Sequence, residues 1–249
     1  GSNLSYYLSK YYSVKNISFE NAMKKKYAYF KNFTHIINTV IHKNYVKFKY
    51  SKNYDLDRKF IKKTNNLYFK YIFLNTRKIY SPKENINERS KIFPVDTYST
   101  NKLYTEKYLL KNLKKKLISL RISNIIGKRK NKSSRKSHNL FLDKFLKFRK
   151  KNKKIIVNDE FKDFITINQF CLILKKIINS NTSGIFNTSL SKKVYISEIT
   201  KWLDPKFHKR ITFIKSNIDS FTLSNKKLKN EIRINLTKKQ LEDFCKKLF

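Results

Sequence analysis

The sequence predicts an α/β doubly wound fold with a smaller C-terminal lobe, and three features carry that expectation. Short β-branched, apolar runs recur along the chain. Helical stretches separate them, and the alternation stays regular only to about residue 123. Near-continuous apolar strands divided by helices describe a parallel sheet covered on both faces, which is the doubly wound arrangement. The expected division is residues 1–123 and 124–249, the second part mixed, with elements that return to the first domain.

In order, the predicted strands are "SVKNIS" (13–18), "THIINTVI" (34–41), "YFKYIFLN" (68–75), "KLISLRI" (116–122), "KIIV" (154–157) and "GIFNT" (184–188). The predicted helices lie near 3–11, 44–63, 97–112, 139–150, 168–179, 197–203 and 237–248. The densest basic segment, "KRKNKSSRKSH" (128–138), reads as a loop, and no internal repeat is seen.

With 249 residues, 40% of them hydrophobic and 15% aromatic, the chain can bury a sizeable core and is not a disordered basic tail. A net charge of +41 ordinarily points to a polyanionic partner. Here the lysines come with abundant Asn, Ile, Tyr and Phe, whose codons are AT-rich, while Gly and Pro number three each. Drift toward AT produces that composition without selection for a polyanion, so nucleic acid is not the favoured partner. No apolar run reaches the length of a membrane span. Cys171 and Cys245 are far apart and read as thiols in a reducing compartment. Four scattered histidines form no ligand cluster, so no metal is expected. A cytoplasmic location follows from these readings.

The chemistry-bearing pair is Tyr98 and Lys102 in "DTYSTNKLYTEKYLL". Four residues apart on a helix, they share one face. An ammonium beside a phenol stabilises the phenolate, and a tuned tyrosine can exchange a proton with a substrate oxygen near neutral pH. By itself the spacing is weak, because Tyr and Lys are common throughout the chain.

Context strengthens it. A strand ends in Thr76, the corner "KIYS" follows, and Pro94 precedes Tyr98 by four residues, with Glu106 further along the helix. Downstream, "LISLRISNIIGKR" holds Arg121, Asn124, Gly127 and Arg129, "NDEFKDFITINQF" holds Lys162, and "SGIFNTSLSKKVYISEI" follows. In these segments the sequence resembles the extended short-chain dehydrogenase/reductases, in particular the NAD-dependent epimerase/dehydratase group that acts on nucleotide sugars. Gly1, Gly127 and Gly184, the only glycines of the chain, all fall where that pattern has one.

The resemblance implies a Rossmann-like NAD(P)-binding domain at 1–123 and a substrate-binding lobe at 124–249. It makes Tyr98 the general acid/base, gives Lys102 the nicotinamide ribose, and sets Thr76 on the reacting oxygen. Gly1, Ser18 and Thr39 would join Lys102 at the cofactor, and Asn124, Arg129 and Lys162 would contact substrate. The cofactor is NAD or NADP: an acid near Ser18, such as Glu20, favours NAD, and its absence leaves NADP open. Gly1 would be the third glycine of the phosphate loop, so the first strand and most of that loop are expected to be missing by N-terminal truncation. A homodimer is implied by resemblance. Acid/base carboxylates that dehydratases place after the Thr76 position are here Arg77 and Lys78, so an epimerase or reductase is expected in place of a 4,6-dehydratase. The cations of 128–138 would attract a nucleotide-sugar diphosphate. The alternative is a fold that has lost catalysis and binds RNA or a ribosome through its charge.

Overall fold

The computed structural model describes residues 2–64, 68–127, 141–151 and 154–248. In chain order it opens with α1 (Ser2–Leu8), α2 (Phe19–Lys24), β1 (His35–Ile37), α3 (Lys43–Lys47), α4 (Leu56–Lys63), β2 (Lys70–Thr76), α5 (Thr97–Leu113) and β3 (Leu117–Ile122). Then come β4 (Asn124–Ile126), α6 (Phe141–Lys151), β5 (Ile155–Asp159), β6 (Phe161–Lys162), β7 (Phe164–Thr166), α7 (Ile167–Ile178) and β8 (Gly184–Thr188). The last elements are β9 (Val194–Tyr195), α8 (Ile196–Leu203), α9 (Pro205–His208), β10 (Ile211–Lys215), α10 (Lys226–Ile232) and α11 (Lys238–Lys246). Two compact units divide the chain: Gly1–Ser81, Glu88–Ile122 and Leu174–Asn187 form one, and Pro82–Asn87, Ser123–Ile173 and Thr188–Phe249 the other.

The first unit is built on the sheet β1-β2-β3-β8. β2 runs parallel to both β1 and β3, with Tyr71 opposite Ile36 and Leu117. β3 is buried at five of its six residues and β2 at four of its seven, with none exposed, as a parallel sheet covered on two faces requires. Against them pack Phe30, Phe60, Ile61, Leu109 and Leu113 from the helical layer. Phe60 stands edge-on to Phe30 at 5.2 Å and stacks on Tyr71 at 6.0 Å, geometries that add stabilisation beyond area burial. The α/β parallel-sheet fold expected from the sequence is therefore the fold observed.

The second unit holds three two-stranded pairings. β4 with β7 and β5 with β10 are parallel, and β6 with β9 is antiparallel. Phe164, Ile165, Phe221, Leu223, Leu228 and Leu241 are fully or almost fully buried in it. Both cysteines are free and buried, and no helix is long and apolar enough to cross a membrane among the described residues.

Several sequence expectations are corrected. Residues 13–18 form no strand: only Val14 and Ile17 are apolar there, Ile17 is 37% exposed, and Ser18 is used as the cap of α2. The strand expected over 34–41 stops at Ile37, because the Asn38 side chain takes the Val40 N–H at 2.9 Å and turns the chain. The helix expected over 44–63 is two. A turn at Ser51–Tyr54 interrupts it, and Asp55 starts the second by accepting from the Arg58 N–H at 2.9 Å.

Candidate functional site

Thr76 ends β2, at the carboxyl edge of the parallel sheet, the edge where open α/β sheets hold their ligands. Its hydroxyl accepts from the Lys78 N–H at 3.3 Å and caps a tight turn over Arg77–Ile79. α5 packs against β2 and that turn. The helix begins at a capping box: Asp96 accepts from the Ser99 N–H at 2.8 Å, and the Ser99 hydroxyl accepts from the Asp96 N–H at 3.0 Å. The box fixes Tyr98 in the first turn of α5 and Lys102 one turn later on the same face.

Lys102 is 4% exposed. Its ammonium sits 4.4 Å from the Phe73 ring centroid and 5.9 Å from that of Tyr45, and its side chain makes no hydrogen bond or ion pair among the described residues. Burial pushes its pKa down, against the pull of the Asp57 and Asp55 carboxylates. The Tyr98 hydroxyl likewise has no hydrogen-bond partner among the described residues. Burial, then the carboxylates of Asp57 and Asp96, hold the phenol above its ordinary value. This corrects the expectation that Lys102 lowers it.

Around the pair lies a buried polar cluster that the sequence reading missed. Asp55 accepts from the Tyr50 hydroxyl at 2.8 Å and the Thr105 hydroxyl at 2.7 Å. Asp57 accepts from the Tyr71 hydroxyl at 2.6 Å and the Asn38 amide at 3.1 Å. Asn101 donates to the carbonyls of Tyr45 and Phe48, each at 2.8 Å, and its own buried oxygen has no partner. The available signal was "DLD" at a helix start, in a chain with 17 acidic residues against 58 basic ones.

The remaining expected site residues are placed as follows. Ser18 is exposed and its hydroxyl caps α2. Thr39 is half-buried in the turn after β1. Arg129, the basic loop 128–138 and Gly1 lie outside the described residues. In the second unit, Asn124 opens β4 and its buried amide nitrogen has no partner among the described residues. The hydroxyls of Ser123 and Thr188 are in the same state, and the Ser123 N–H donates to the Thr188 carbonyl at 3.0 Å. Lys162 is occupied otherwise, its ammonium lying 2.6 Å from Asp219 and 3.0 Å from Glu160. Among the described residues no cluster of His, Cys, Asp and Glu can hold a metal ion.

Residues 24–187 match the family model described as the NAD dependent epimerase/dehydratase family. The chain belongs to this family. Solved structures of similar fold include the UDP-N-acetylglucosamine 4-epimerase of Methanobrevibacter ruminantium in complex with UDP-N-acetylmuramic acid, with 16% identity and a TM-score of 0.72 over 90% of this chain and 78% of that one. The dTDP-glucose 4,6-dehydratase of Bacillus anthracis, in complex with NAD, shares 16% identity at a TM-score of 0.67, over 90% of this chain and 74% of that one. RMD of Pseudomonas aeruginosa, complexed with NADPH, shares 12% identity at a TM-score of 0.69 and covers 99% of this chain and 94% of its own. No curated protein matches. An epimerase and a dehydratase thus share the epimerase/dehydratase fold equally well, and fold likeness does not separate the two reactions.

The residues present fit a dinucleotide of the kind this family is named for. A buried ammonium with no hydrogen-bond acceptor among the described residues, lying over Phe73 of β2, is a donor open to hydroxyls or phosphate oxygens.

Proposed function

We propose that the chain is an NAD(P)-dependent oxidoreductase acting on a nucleotide sugar, an epimerase or a reductase, with Tyr98 as general acid/base. The orphaned Lys102 ammonium, one helical turn from the half-buried, unpartnered Tyr98 phenol, carries this reading. Bound nicotinamide supplies or accepts the hydride at a sugar carbon. Tyr98 gives its proton to the oxygen on that carbon in the reducing direction and takes it back in the oxidising one. The phenol is protonated at neutral pH, so it holds the proton that reduction requires; burial raises its pKa further, away from the neutral range in which such transfers run best. Thr76 orients the reacting oxygen through its hydroxyl, and Lys102 donates to the cofactor ribose. Asn124, with its unpartnered amide, is the second unit's substrate contact; Ser18 and Thr39 are assigned to the cofactor by position alone. After Thr76 the chain carries Arg77 and Lys78, with Lys78 paired to Asp96 at 2.8 Å. No carboxylate stands there to remove water, so the reading is hydride exchange without elimination.

Titrating NADH and NADPH into the chain tests this. Binding of one of them, weakened about tenfold or more by Lys102→Ala, supports the reading. Absence of binding by a folded chain sinks it. The net charge of +41 keeps one other reading in play, a non-catalytic fold that binds RNA, whose affinity would fall steeply with salt.

A further inference from the structure

We propose that Asp57 is the counter-charge that keeps Lys102 an ammonium inside the first unit, and so acts as a positioning residue for the Tyr98 chemistry. The positioning role rests on the function proposed above; the charge pairing does not.

The Lys102 ammonium lies over two ring faces and makes no hydrogen bond or ion pair among the described residues, and taking an ammonium out of water without compensation strongly favours the neutral amine. Two buried carboxylates share its surroundings, Asp55 at 0% and Asp57 at 6% exposure: Thr105 of α5 donates to Asp55, and Asp57 is bonded to Tyr71, which stands two residues from Phe73 on the same face of β2. Asp55 is committed: one oxygen caps α4 through the Arg58 N–H, and the other receives the Tyr50 and Thr105 hydroxyls. Asp57 receives the Tyr71 hydroxyl and the Asn38 amide on a single oxygen, Oδ1, and its Oδ2 takes no hydrogen bond among the described residues. Asp57 is therefore a buried carboxylate with one oxygen free of hydrogen bonds among the described residues. It is the largest charge acting on Lys102 and, after burial, the largest influence on Tyr98.

The groups facing this pocket come from every packed element. α4 supplies Asp55 and Asp57, and α5 supplies Tyr98, Lys102 and Thr105. β2 supplies Tyr71, α3 supplies Tyr45, and the turn before α4 supplies Tyr50. Arg58, one of the four basic residues of α4, lies 4.1 Å over the Tyr108 ring. Both buried acids act on Lys102. A first-turn acid is also a common helix-dipole device, but such acids gain by staying near water, whereas Asp57 is inside.

The test is a double-variant cycle on thermal melting, with Asp57→Asn, Lys102→Met and both together. Each single change strands a buried charge and lowers Tm; the double variant regains most of that loss. Strictly additive losses overturn the pairing. Should Asp57→Asn fail to fold, Lys102→Met alone decides. Deprived of its partner, Asp57 titrates higher in the folded state, so Tm of Lys102→Met falls more steeply than that of the parent as pH rises from 5 to 8. An unchanged slope rejects the proposal. The positioning role has its own readout: Asp57→Asn moves the alkaline pH at which NADPH affinity is lost downward by about one unit, a tenfold change in the Lys102 proton equilibrium. If the parent binds no cofactor, the function fails while the melting cycle still judges the pair.

Discussion

Arg121 Nη2 lies 2.6 Å from Glu106 Oε2, and both side chains are almost entirely buried. Arg121 belongs to β3 and Glu106 to α5, so the pair fastens the helix that bears Tyr98 and Lys102 to the centre of the sheet. Glu106 Oε1 also accepts from Asn75 at 2.8 Å and Ser119 at 2.6 Å, and Arg121 donates to the Tyr80 hydroxyl and, at 3.2 Å, to the Glu88 carbonyl. Although burial works against a charged guanidinium, Glu106 holds the Arg121 pKa above its usual range. A network this complete fixes one register of α5 on β2 and β3. Glu106→Gln sets an amide against a guanidinium and leaves a buried cation unpaired, at a cost of about 3–5 kcal/mol. The expected drop in Tm is on the order of 10 °C, read by circular dichroism. Glu106→Leu combined with Arg121→Met recovers most of it, since apolar replacement of a whole buried pair is nearly neutral.

Tyr98→Phe separates chemistry from folding. The hydroxyl has no partner among the described residues, so its removal strands nothing and Tm moves little. Turnover, by contrast, loses its proton donor and drops by roughly 10²–10⁴-fold, with NAD(P)H affinity kept. Equal losses of affinity and rate would instead mark Tyr98 as a packing residue.

What the sequence revealed depended on how locally each feature is encoded. β2, β3, β8 and α5 were legible because apolar continuity, or a helical stretch between two such runs, specifies them without reference to the rest of the chain. β4 and β7, three residues each, and β10, five, were not, since such short segments become strands only where a partner receives them, β4 and β7 each other and β10 the strand β5. Thr76, Tyr98 and Lys102 were picked out by motif spacing and by the family resemblance. Asp55 and Asp57 escaped because their meaning comes from Thr105, Tyr71 and Asn38, which approach from other elements. The raised Tyr98 pKa has the same origin: spacing places Lys102 near it, but burial and Asp57 decide the direction.

Gly127 is required by contact. A Cβ built there would stand 2.8 Å from Cγ2 and 2.9 Å from Cβ of Ile167. Ile167 is buried at the start of α7 and β-branched, so it has no free rotamer to retreat into. Gly127→Ala is expected to cost about 1–3 kcal/mol by overpacking. Ile167→Ala removes Cγ2 but not Cβ, so the double variant regains only part of the loss. Urea unfolding of the four chains measures both effects.

Asp163 gives the second unit a pH dependence of definite sign. Its carboxylate accepts from the backbone N–H groups of Leu190 at 2.8 Å, Ser191 at 3.0 Å and Leu223 at 3.1 Å, drawing three separate stretches of loop together. Burial pushes its pKa up to about 7, against the opposing pull of those donors. A folded-state pKa above the unfolded value means that the folded chain holds the proton longer. The stabilisation is complete below about pH 4 and is lost as pH rises toward 7. His35 and His208 act oppositely, because burial depresses their pKa values and favours the folded chain as pH rises past the ordinary histidine range. Comparison with Asp163→Asn isolates the acid: the variant melts lower throughout, having set an amide where two oxygens accepted from three N–H groups, yet its decline between pH 4 and 7 is shallower than the parent's. A steeper decline in the variant would mean that the three N–H donors outweigh burial and keep Asp163 ionised.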